Sequence, residues 1–543
     1  MTTRNRTGKR ERSALGRVCG VLVRWMLVFA GARAIAQTTN FTATLTFTES
    51  NTASYDRIFL GTGSVATLGK ALLRLDRIQD LGADYESGVG PVRGSLRLVF
   101  NREDQITIAN AQVADPSAET VTVTGRVVGG TGAYAGATGP AGGTNLNLTR
   151  ISTTPPRYKL SFAGTAIVGA QTLNLAIAEA EVSQAAVVVN VFDNLTGTAS
   201  ITPFGQAKLT GTVRPDTDRW DKVHFLEVVL NAALSDADGL QMFLRVPPVE
   251  TLPPDMPVII AGGTGAFAGA SGEAFLNVTG ENTLTLRGTI RQAGPTTPII
   301  TSVNVASGRN RIAQNTWIEI KGRNLVPPDT PAGGVYWSNA PEFAEGNMPA
   351  ELGGISATVN GKPAYVWWFC SAITTSFCTT DQINVLTPLD DFAGQVPVVV
   401  KKGAELGGAF LDFEGSLSPS FLVFSGRGHV TATHADGSLV GPASLFPGLS
   451  TPAKTGETIS LWGVGFGLPV TALVAGSARQ SGALPETPVC YLDGSAVPVV
   501  AALVSPGLYQ FNVPIPDRAA PGENHFYCTL GNDFTPDVLL TIE

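Results

Sequence analysis

Residues 129–139 read GGTGAYAGATG, and residues 262–272 read GGTGAFAGASG. Nine of the eleven positions are identical. A match of this length, with similar flanking sequence, indicates an internal duplication. The first half of the chain is therefore expected to hold two similar modules, residues 37–170 and 171–295.

The glycines are the constant part of this motif. They are Gly129, Gly130, Gly132, Gly136 and Gly139 in the first copy and Gly262, Gly263, Gly265, Gly269 and Gly272 in the second. A phosphate-binding loop would end in lysine and serine or threonine, or would open a helix with G-x-G-x-x-G. Here the spacing is G-x-G-x-x-x-G and strand-like sequence follows. We interpret the glycines as structural, bending the chain at a barrel rim while Tyr134 or Phe267 covers the apolar side.

The composition favours an all-β protein. The 543 residues include 61 glycines and 35 prolines, with 15% charged and 43% hydrophobic residues. That is too little charge for a disordered chain, and Glu, Lys and Leu are too few for helical bundles. Residues 41–48 alternate apolar residues with threonine, as a half-buried strand does. At about 150 residues per domain the length allows three or four domains.

At the glycine motif the two modules resemble the small β-barrels of the allene oxide cyclase and dirigent type. The resemblance covers roughly residues 40–291. It implies eight-stranded antiparallel barrels, each with an apolar cavity. Outside the motif no position matches the catalytic polar residues of that family, so no catalytic role is carried over.

The second half of the chain contains a duplication of its own. DQINVLTP at 381–388 corresponds to YQFNVPIP at 509–516, and Asn360-Gly361 corresponds to Asp493-Gly494. Both dipeptides favour a two-residue hairpin turn, because such a turn needs positive φ at both positions. Each unit is therefore expected to be a β-sandwich.

These motifs, with SVNVAS at 302–307 and DGSL at 436–439, resemble an uncharacterised C-terminal domain family first catalogued in Solibacter-type soil bacteria. The resemblance runs over roughly residues 298–543. It implies a secreted bacterial protein that ends in tandem immunoglobulin-like folds of the IPT/TIG kind, and it implies no activity. The expected fold is thus two tandem antiparallel barrels followed by two immunoglobulin-like sandwiches, at 298–425 and 426–543.

The first 36 residues are typical of an export signal. A basic front precedes an apolar run from Val18 to Ala30, and Ala34-Ile35-Ala36 supplies a small-x-small cleavage site. A membrane anchor is the alternative, but it needs about 20 uninterrupted apolar residues, and Arg24 interrupts this shorter run. We expect cleavage near Ala36 and a secreted or surface-displayed mature chain without a transmembrane segment.

The cysteines agree with an oxidising compartment. Cys19 lies in the export signal, which leaves Cys370, Cys378, Cys490 and Cys528. We pair the first two and the last two, since each bridge then stays inside one sandwich, although two other pairings are formally open. A four-cysteine metal site would require close C-x-x-C pairs, and the sequence has none.

Residue patterns typical of catalysis are sparse, and we expect no catalytic, cofactor-binding or metal-binding residue. The four histidines, His224, His429, His434 and His525, are interpreted as solvated loop residues. Residues 236–239 read DADG and hint at calcium, but they lack the further oxygen ligands of a calcium loop, so a turn is favoured.

Aromatic residues beside the Cys370–Cys378 loop are the candidate binding residues. Neighbouring residues of a strand point to opposite faces, so Trp367, Trp368 and Phe369 cannot all lie in the core. In one interpretation Trp367 or Trp368 lies on a disulfide-closed rim and stacks on a sugar or a partner. In the other, an aromatic ring packs over the disulfide.

Two classes of function fit these features. The first is a non-catalytic binding or adhesive protein, with barrels as binding modules and immunoglobulin-like modules as spacers, and with a cell-surface glycan, a protein or a small apolar ligand as partner. Without the export signal the chain has 29 basic and 43 acidic residues, which argues against nucleic acid. The second class is an enzyme that cyclises or isomerises an apolar molecule inside a barrel. We favour the first, because no catalytic constellation is visible and duplication increases avidity.

Overall fold

A computed structural model describes the chain from residue 37 to its end, with short gaps. The described residues are 37–80, 92–113, 120–139, 144–215, 226–246, 252–306, 308–309, 311–424 and 426–543. The predicted export signal and His224 lie outside them. The predicted all-β class is confirmed, since helical structure in the described part is limited to 3₁₀ turns at Gly132–Tyr134, Gly265–Phe267, Trp337–Asn339 and Pro341–Glu345.

Sixteen strands form the first half of the described chain. They are β1 Thr38–Val65, β2 Gly69–Asp80, β3 Val92–Val99, β4 Gln105–Val113, β5 Thr120–Thr131, β6 Thr144–Thr153, β7 Pro156–Ala163, β8 Thr165–Val168, β9 Gln171–Asn174, β10 Ile177–Thr202, β11 Gly205–Pro215, β12 Leu226–Ala233, β13 Gly239–Val246, β14 Met256–Thr264, β15 Ser271–Gly280 and β16 Thr283–Arg291. All but β8 and β9, which pair with each other, belong to one closed circuit of antiparallel pairs.

Two very long strands divide that circuit into two eight-stranded barrels. Strand β1 has 28 residues and β10 has 26, and they pair antiparallel from Thr42 with Thr202 to Thr62 with Glu181. The first barrel consists of β2 to β7, the second half of β1 and the first half of β10. The second barrel consists of β11 to β16 and the other halves of the same two strands. Each barrel therefore includes chain from both of the modules predicted at 37–170 and 171–295.

Apolar side chains fill both barrels. Alternate residues of each strand point inward, and many are fully buried, such as Leu73 and Leu96 in the first barrel and Leu209 and Ile260 in the second. Side chains with no exposed area touch neither solvent nor a void that could hold water. The barrel centres are therefore packed cores.

Twelve strands form a first sandwich. They are β17 Ile299–Val305, β18 Arg311–Ala313, β19 Trp317–Arg323, β20 Val335–Tyr336, β21 Glu351–Leu352, β22 Ile355–Val359, β23 Lys362–Pro363, β24 Tyr365–Cys370, β25 Asp381–Leu386, β26 Gly394–Lys402, β27 Glu405–Leu406 and β28 Phe410–Gly415. One sheet has the order β17-β19-β25-β24-β20 and the other β18-β28-β26-β22-β21, and one apolar cluster lies between them.

A second sandwich completes the chain. Its strands are β29 Ser420–Phe421, β30 Ala432–Thr433, β31 Leu439–Val440, β32 Ser450–Thr451, β33 Thr458–Val464, β34 Gly482–Ala483, β35 Val489–Leu492, β36 Ser495–Val497, β37 Val500–Ser505, β38 Leu508–Pro514, β39 Gly522–Leu530, β40 Asp533–Phe534 and β41 Val538–Ile542. The hairpin turns expected at Asn360-Gly361 and Asp493-Gly494 are both present, with positive φ at all four residues.

The sandwiches pack against the barrels. Glu227 of the second barrel accepts the backbone N–H of Gln395 in the first sandwich, at 3.0 Å from each carboxylate oxygen. Tyr527 of the second sandwich is buried in a cluster with Ile58 and Leu60 of the first barrel. Both sandwiches are therefore docked on the barrels through buried side chains.

Candidate functional site

The duplicated glycine motif forms two equivalent rim loops. Gly132 and Gly265 both have φ of +55°, and the N–H that follows each is bound by the carboxylate of Asp104 (2.6 Å) or Asp238 (2.8 Å). A Cβ on either glycine would lie 2.2 Å from that carboxylate oxygen. Asp238 belongs to the DADG turn that hinted at calcium, and its carboxylate binds the backbone of the second rim loop. The other motif glycines lie in the same two loops or in the strands beside them.

The aromatic residue of each loop faces its barrel. Phe267 is 4% exposed and packs edge-on against Phe204, with 5.2 Å between ring centres. Tyr134 is half-buried, 5.1 Å from the ring of Phe100. Each ring therefore covers one end of an apolar barrel core, and we assign both rings a structural role.

The cysteines form two disulfides, in the pairing expected from the sequence. Cys370 joins Cys378 across 8 positions, and Cys490 joins Cys528 across 38. Each bridge lies inside one sandwich. Both pairs are also buried, so the bridges belong to the framework.

Two of the histidines, His429 and His525, are not the solvated loop residues expected from the sequence, whereas His434 lies half-buried in a loop, with its Nδ1 3.1 Å from Glu457. His525 is 2% exposed and lies in β39, where its Nδ1 is 2.7 Å from a carboxylate oxygen of Asp537. His429 is 7% exposed, with Nε2 at 2.9 Å from Glu523. The expectation was wrong because these carboxylate partners are distant in sequence. Among the described residues, no three His, Cys, Asp or Glu side chains are grouped so that they could hold a metal ion.

Two acids of β28, Asp412 and Glu414, are buried on the face of the strand that it shares with Val396 of β26, which lies in the core of the first sandwich. Glu414 has no exposed area, Asp412 is 8% exposed, and burial raises their pKa values to about 8 and about 7. The nearby carboxylate of Asp390 also raises the pKa of Glu414, whereas the charge of Arg245 lowers it. Their side chains therefore face the interior of the first sandwich, whereas Phe413 between them faces Arg214 of the second barrel.

A surface pocket lies between the second barrel and the first sandwich. It has a volume of about 710 Å³ and is lined largely by small residues of β12 to β14, the second rim loop and the first sandwich. Arg323 is the single charged residue in its lining. The pocket lacks converging polar groups, so we do not assign the functional site to it.

The candidate functional site is an aromatic surface around the Cys370–Cys378 loop. We define the aromatic rim as Tyr336, Trp368, Ile373 and Phe377. Tyr336 and Trp368 are directly opposite each other on β20 and β24, with ring centres 5.9 Å apart. Phe377 stacks on Trp368 at 6.1 Å with an interplanar angle of 17°.

Exposure is unequal within the aromatic rim. Trp368 is 8% exposed and clusters with the disulfide, whereas Tyr336, Phe377 and Ile373 are 50%, 65% and 75% exposed. The alternative in which an aromatic ring packs over the disulfide therefore describes Trp368. The exposed rings are Tyr336 and Phe377, which sequence reasoning missed, although Phe377 could have been found from its place next to Cys378.

Trp367 points to a different surface. It is 39% exposed and lies 5.6 Å from Trp317, whose indole N–H donates to the carbonyl of Pro506 in the second sandwich at 2.7 Å. Trp367 and Trp368, of which one was expected to lie on the rim and stack on a ligand, therefore belong to different surfaces. Trp367 joins a cluster near the contact between the sandwiches.

The loop between Cys370 and Cys378, which carries Ile373 and Phe377 of the aromatic rim, is tied by backbone hydrogen bonds. Asp381 accepts the N–H of Ala372 at 3.1 Å, and the N–H groups of Thr374 and Thr375 reach the carbonyl of Ser371 at 3.3 and 3.2 Å. The Cys370–Cys378 disulfide joins the two ends of this loop. A fixed loop presents exposed rings without a large entropic cost of binding.

Comparisons with known proteins identify no family for this chain. A scan against protein-family models and a search of curated proteins both returned no match. In the part of the chain that the structure describes, no helix has the length and apolar character required to cross a membrane. The functional proposal therefore rests on the geometry of the site.

Proposed function

We propose that this chain is a secreted, non-catalytic binding protein that holds a glycan on the aromatic rim of its first sandwich. The observation that carries the proposal is the pair of exposed rings, Tyr336 and Phe377, on either side of the buried Trp368. Large apolar side chains that are grouped and exposed mark interaction surfaces in soluble proteins.

The chemistry around these rings favours a sugar. Ser376, Thr379 and Thr380 are exposed beside Phe377 and offer hydroxyl groups as donors and acceptors. The apolar face of a pyranose can stack on an aromatic ring while its hydroxyl groups bond to neighbouring side chains. The rim and the hydroxyl groups beside it therefore offer both kinds of contact next to the disulfide-closed loop.

The barrels support a binding role over turnover of an apolar ligand in a barrel cavity. Fully buried Leu, Ile and Phe side chains fill both barrel centres, which leaves apolar packing where a reacting ligand would have to lie. The two disulfides support secretion, because such bridges persist in oxidising compartments.

Binding of the full mature chain to insoluble cellulose, chitin, xylan and starch tests the proposal. We expect retention on at least one polysaccharide, and Phe377→Ala and Tyr336→Ala should weaken it about tenfold or more, as buried aromatic anchors of interfaces do. Phe275→Ala is the matched control, because Phe275 is an aromatic residue 42% exposed on the second barrel.

The outcomes separate the candidate partners. Loss of retention in the rim variants with normal retention of Phe275→Ala supports the glycan proposal. No retention of the wild-type chain on any polysaccharide, or an equal loss in all three variants, contradicts it. Retention that survives the rim variants places the contact elsewhere on the molecule.

A further inference from the structure

We propose that the mouth of the first barrel binds a small organic carboxylate between Arg57 and Arg150, next to Tyr158, the hydrogen-bond partner of the buried Arg77. The site lies on another module than the aromatic rim and does not depend on the glycan proposal. It is built from the second half of β1 and from β2, β6, β7 and β10.

Two arginines lie directly opposite each other at this mouth. Arg57 of β1 and Arg77 of β2 are cross-strand partners, so both side chains lie on the same face of the sheet. That face is the barrel interior, because Leu73 and Leu75 precede Arg77 at alternate positions and are buried in the core. Like charges in directly opposed positions repel, which favours a bound anion between them.

Arg77 is the deeper of the two and is 6% exposed. Its Nη1 donates to the hydroxyl of Tyr158 at 3.1 Å, while its Nε has no hydrogen-bond partner. No described carboxylate forms an ion pair with Arg77 or with Arg57. Burial lowers the pKa of Arg77, and the charge of Arg57 acts in the same direction. A buried cation without an anion is costly, and a carboxylate ligand would lower that cost.

An open pocket of about 420 Å³ lies beside this pair, and Arg77 is connected to it through Tyr158, which lines the pocket and accepts the hydrogen bond of Arg77. Arg57 and Arg150 line it, and Arg150 is the cross-strand partner of Tyr158. Phe59 and Val187 contribute an apolar wall, and none of the described residues in the lining is acidic. The ring of Phe59 holds the ring of Tyr158 edge-on, with 5.2 Å between centres.

This combination selects a class of ligand. A guanidinium group binds a carboxylate through two parallel hydrogen bonds, which gives both charge and geometry. The apolar wall favours an anion that carries a hydrocarbon or aromatic body over an inorganic ion. A carboxylate at the arginines with its apolar body against Phe59 and Val187 satisfies both requirements.

The second barrel provides an internal comparison. Its β10–β11 hairpin closes on the pair Ile201 and Gly205, as the β1–β2 hairpin closes on Val65 and Gly69. Eight residues away from the closing pair along both strands, the first barrel has Arg57 opposite Arg77. The second barrel has Asp193 opposite Val213. The arginine pair is therefore a feature of the first barrel and not of the repeat.

Isothermal titration calorimetry of the full mature chain tests the site. Benzoate and hexanoate are the probes, benzyl alcohol is the uncharged counterpart, and sulfate is the inorganic anion. We expect the two carboxylates to bind and the alcohol and sulfate to bind at least tenfold more weakly. Arg57→Gln and Arg150→Gln should each lower carboxylate affinity tenfold or more.

Arg157→Gln is the matched control, because Arg157 precedes Tyr158 on β7 but is exposed and paired with Glu181 at 2.8 Å. Its carboxylate affinity should equal that of the wild-type chain. A thermal melt of each variant verifies that the barrel is folded. Binding of benzyl alcohol or sulfate as tight as benzoate, absence of carboxylate binding, or equal losses in Arg57→Gln and Arg157→Gln would each overturn the proposal.

Discussion

The two rim loops allow one substitution to be compared at equivalent positions of the duplication. Gly136 has φ of +75° and Gly269 has φ of +69°. A Cβ on Gly136 would meet no atom within 4 Å, whereas a Cβ on Gly269 would lie 2.5 Å from Cγ1 of Ile299 in the first sandwich. Alanine at these two sites therefore has nearly the same backbone strain but different surroundings.

The expected magnitudes follow from these two terms. Alanine in the left-handed region costs about 1 kcal/mol, so we expect Gly136→Ala to lower the free energy of unfolding by about that amount. Ile299 is 8% exposed and cannot move into solvent, so overpacking adds about 1–3 kcal/mol for Gly269→Ala. The total for Gly269→Ala is about 2–4 kcal/mol.

Urea unfolding of both variants, combined with hydrogen exchange at residues 129–139 and 262–272, measures the difference. The Ile299→Ala background removes the atoms that the new methyl group would meet, so Gly269→Ala should cost only about 1 kcal/mol there. If the two glycine variants lose the same stability, or if Ile299→Ala gives no relief, the second barrel does not dock on the sandwich through this loop.

Two further predictions concern the sandwiches. Because Asp412 and Glu414 have pKa values of about 7 and about 8 in the folded chain, that state binds protons which the unfolded chain releases above about pH 4. Stability should therefore fall by about 3 kcal/mol for each acid, about 6 kcal/mol in all, as pH rises from 5 to 8, and Glu414→Gln should remove about half of this fall in urea titrations; a flat wild-type profile would contradict the burial argument. Replacing both Cys490 and Cys528 by alanine opens a 38-residue loop and should cost about 4 kcal/mol of unfolding free energy, whereas an unchanged urea midpoint would show that the bridge contributes nothing.

Features that depend on neighbouring residues could be predicted from the sequence. The turns at Asn360-Gly361 and Asp493-Gly494 follow from the conformational preferences of two adjacent residues. The disulfide pairs follow from cysteine count and from the repeat that contains them. The all-β class follows from composition and from alternation such as that of residues 41–48.

The arrangement of the barrels depends on register, which a single sequence does not reveal. Alternation shows which side chains share a face but not which strand lies alongside. The division of β1 and β10 between two barrels was therefore missed, as was the pairing of Arg57 with Arg77. Both depend on contacts between distant segments.

The candidate site was located only in part for the same reason. The disulfide loop and its aromatic residues were identified, but Tyr336 reaches Trp368 through a strand pair 32 positions apart. The buried acids of β28 are a different case, because Asp412 and Glu414 occupy inward positions that alternation normally gives to apolar residues.

The central claim is tested most directly by hydrogen exchange of the full mature chain, measured with and without a ligand. The ligand is a soluble oligosaccharide of the polysaccharide that retains the protein. The account predicts slower exchange in peptides that cover the loop between Cys370 and Cys378 and strand β20, with little change at residues 262–272. Protection confined to the barrels, with unchanged exchange in the disulfide loop, would contradict a glycan site at the aromatic rim.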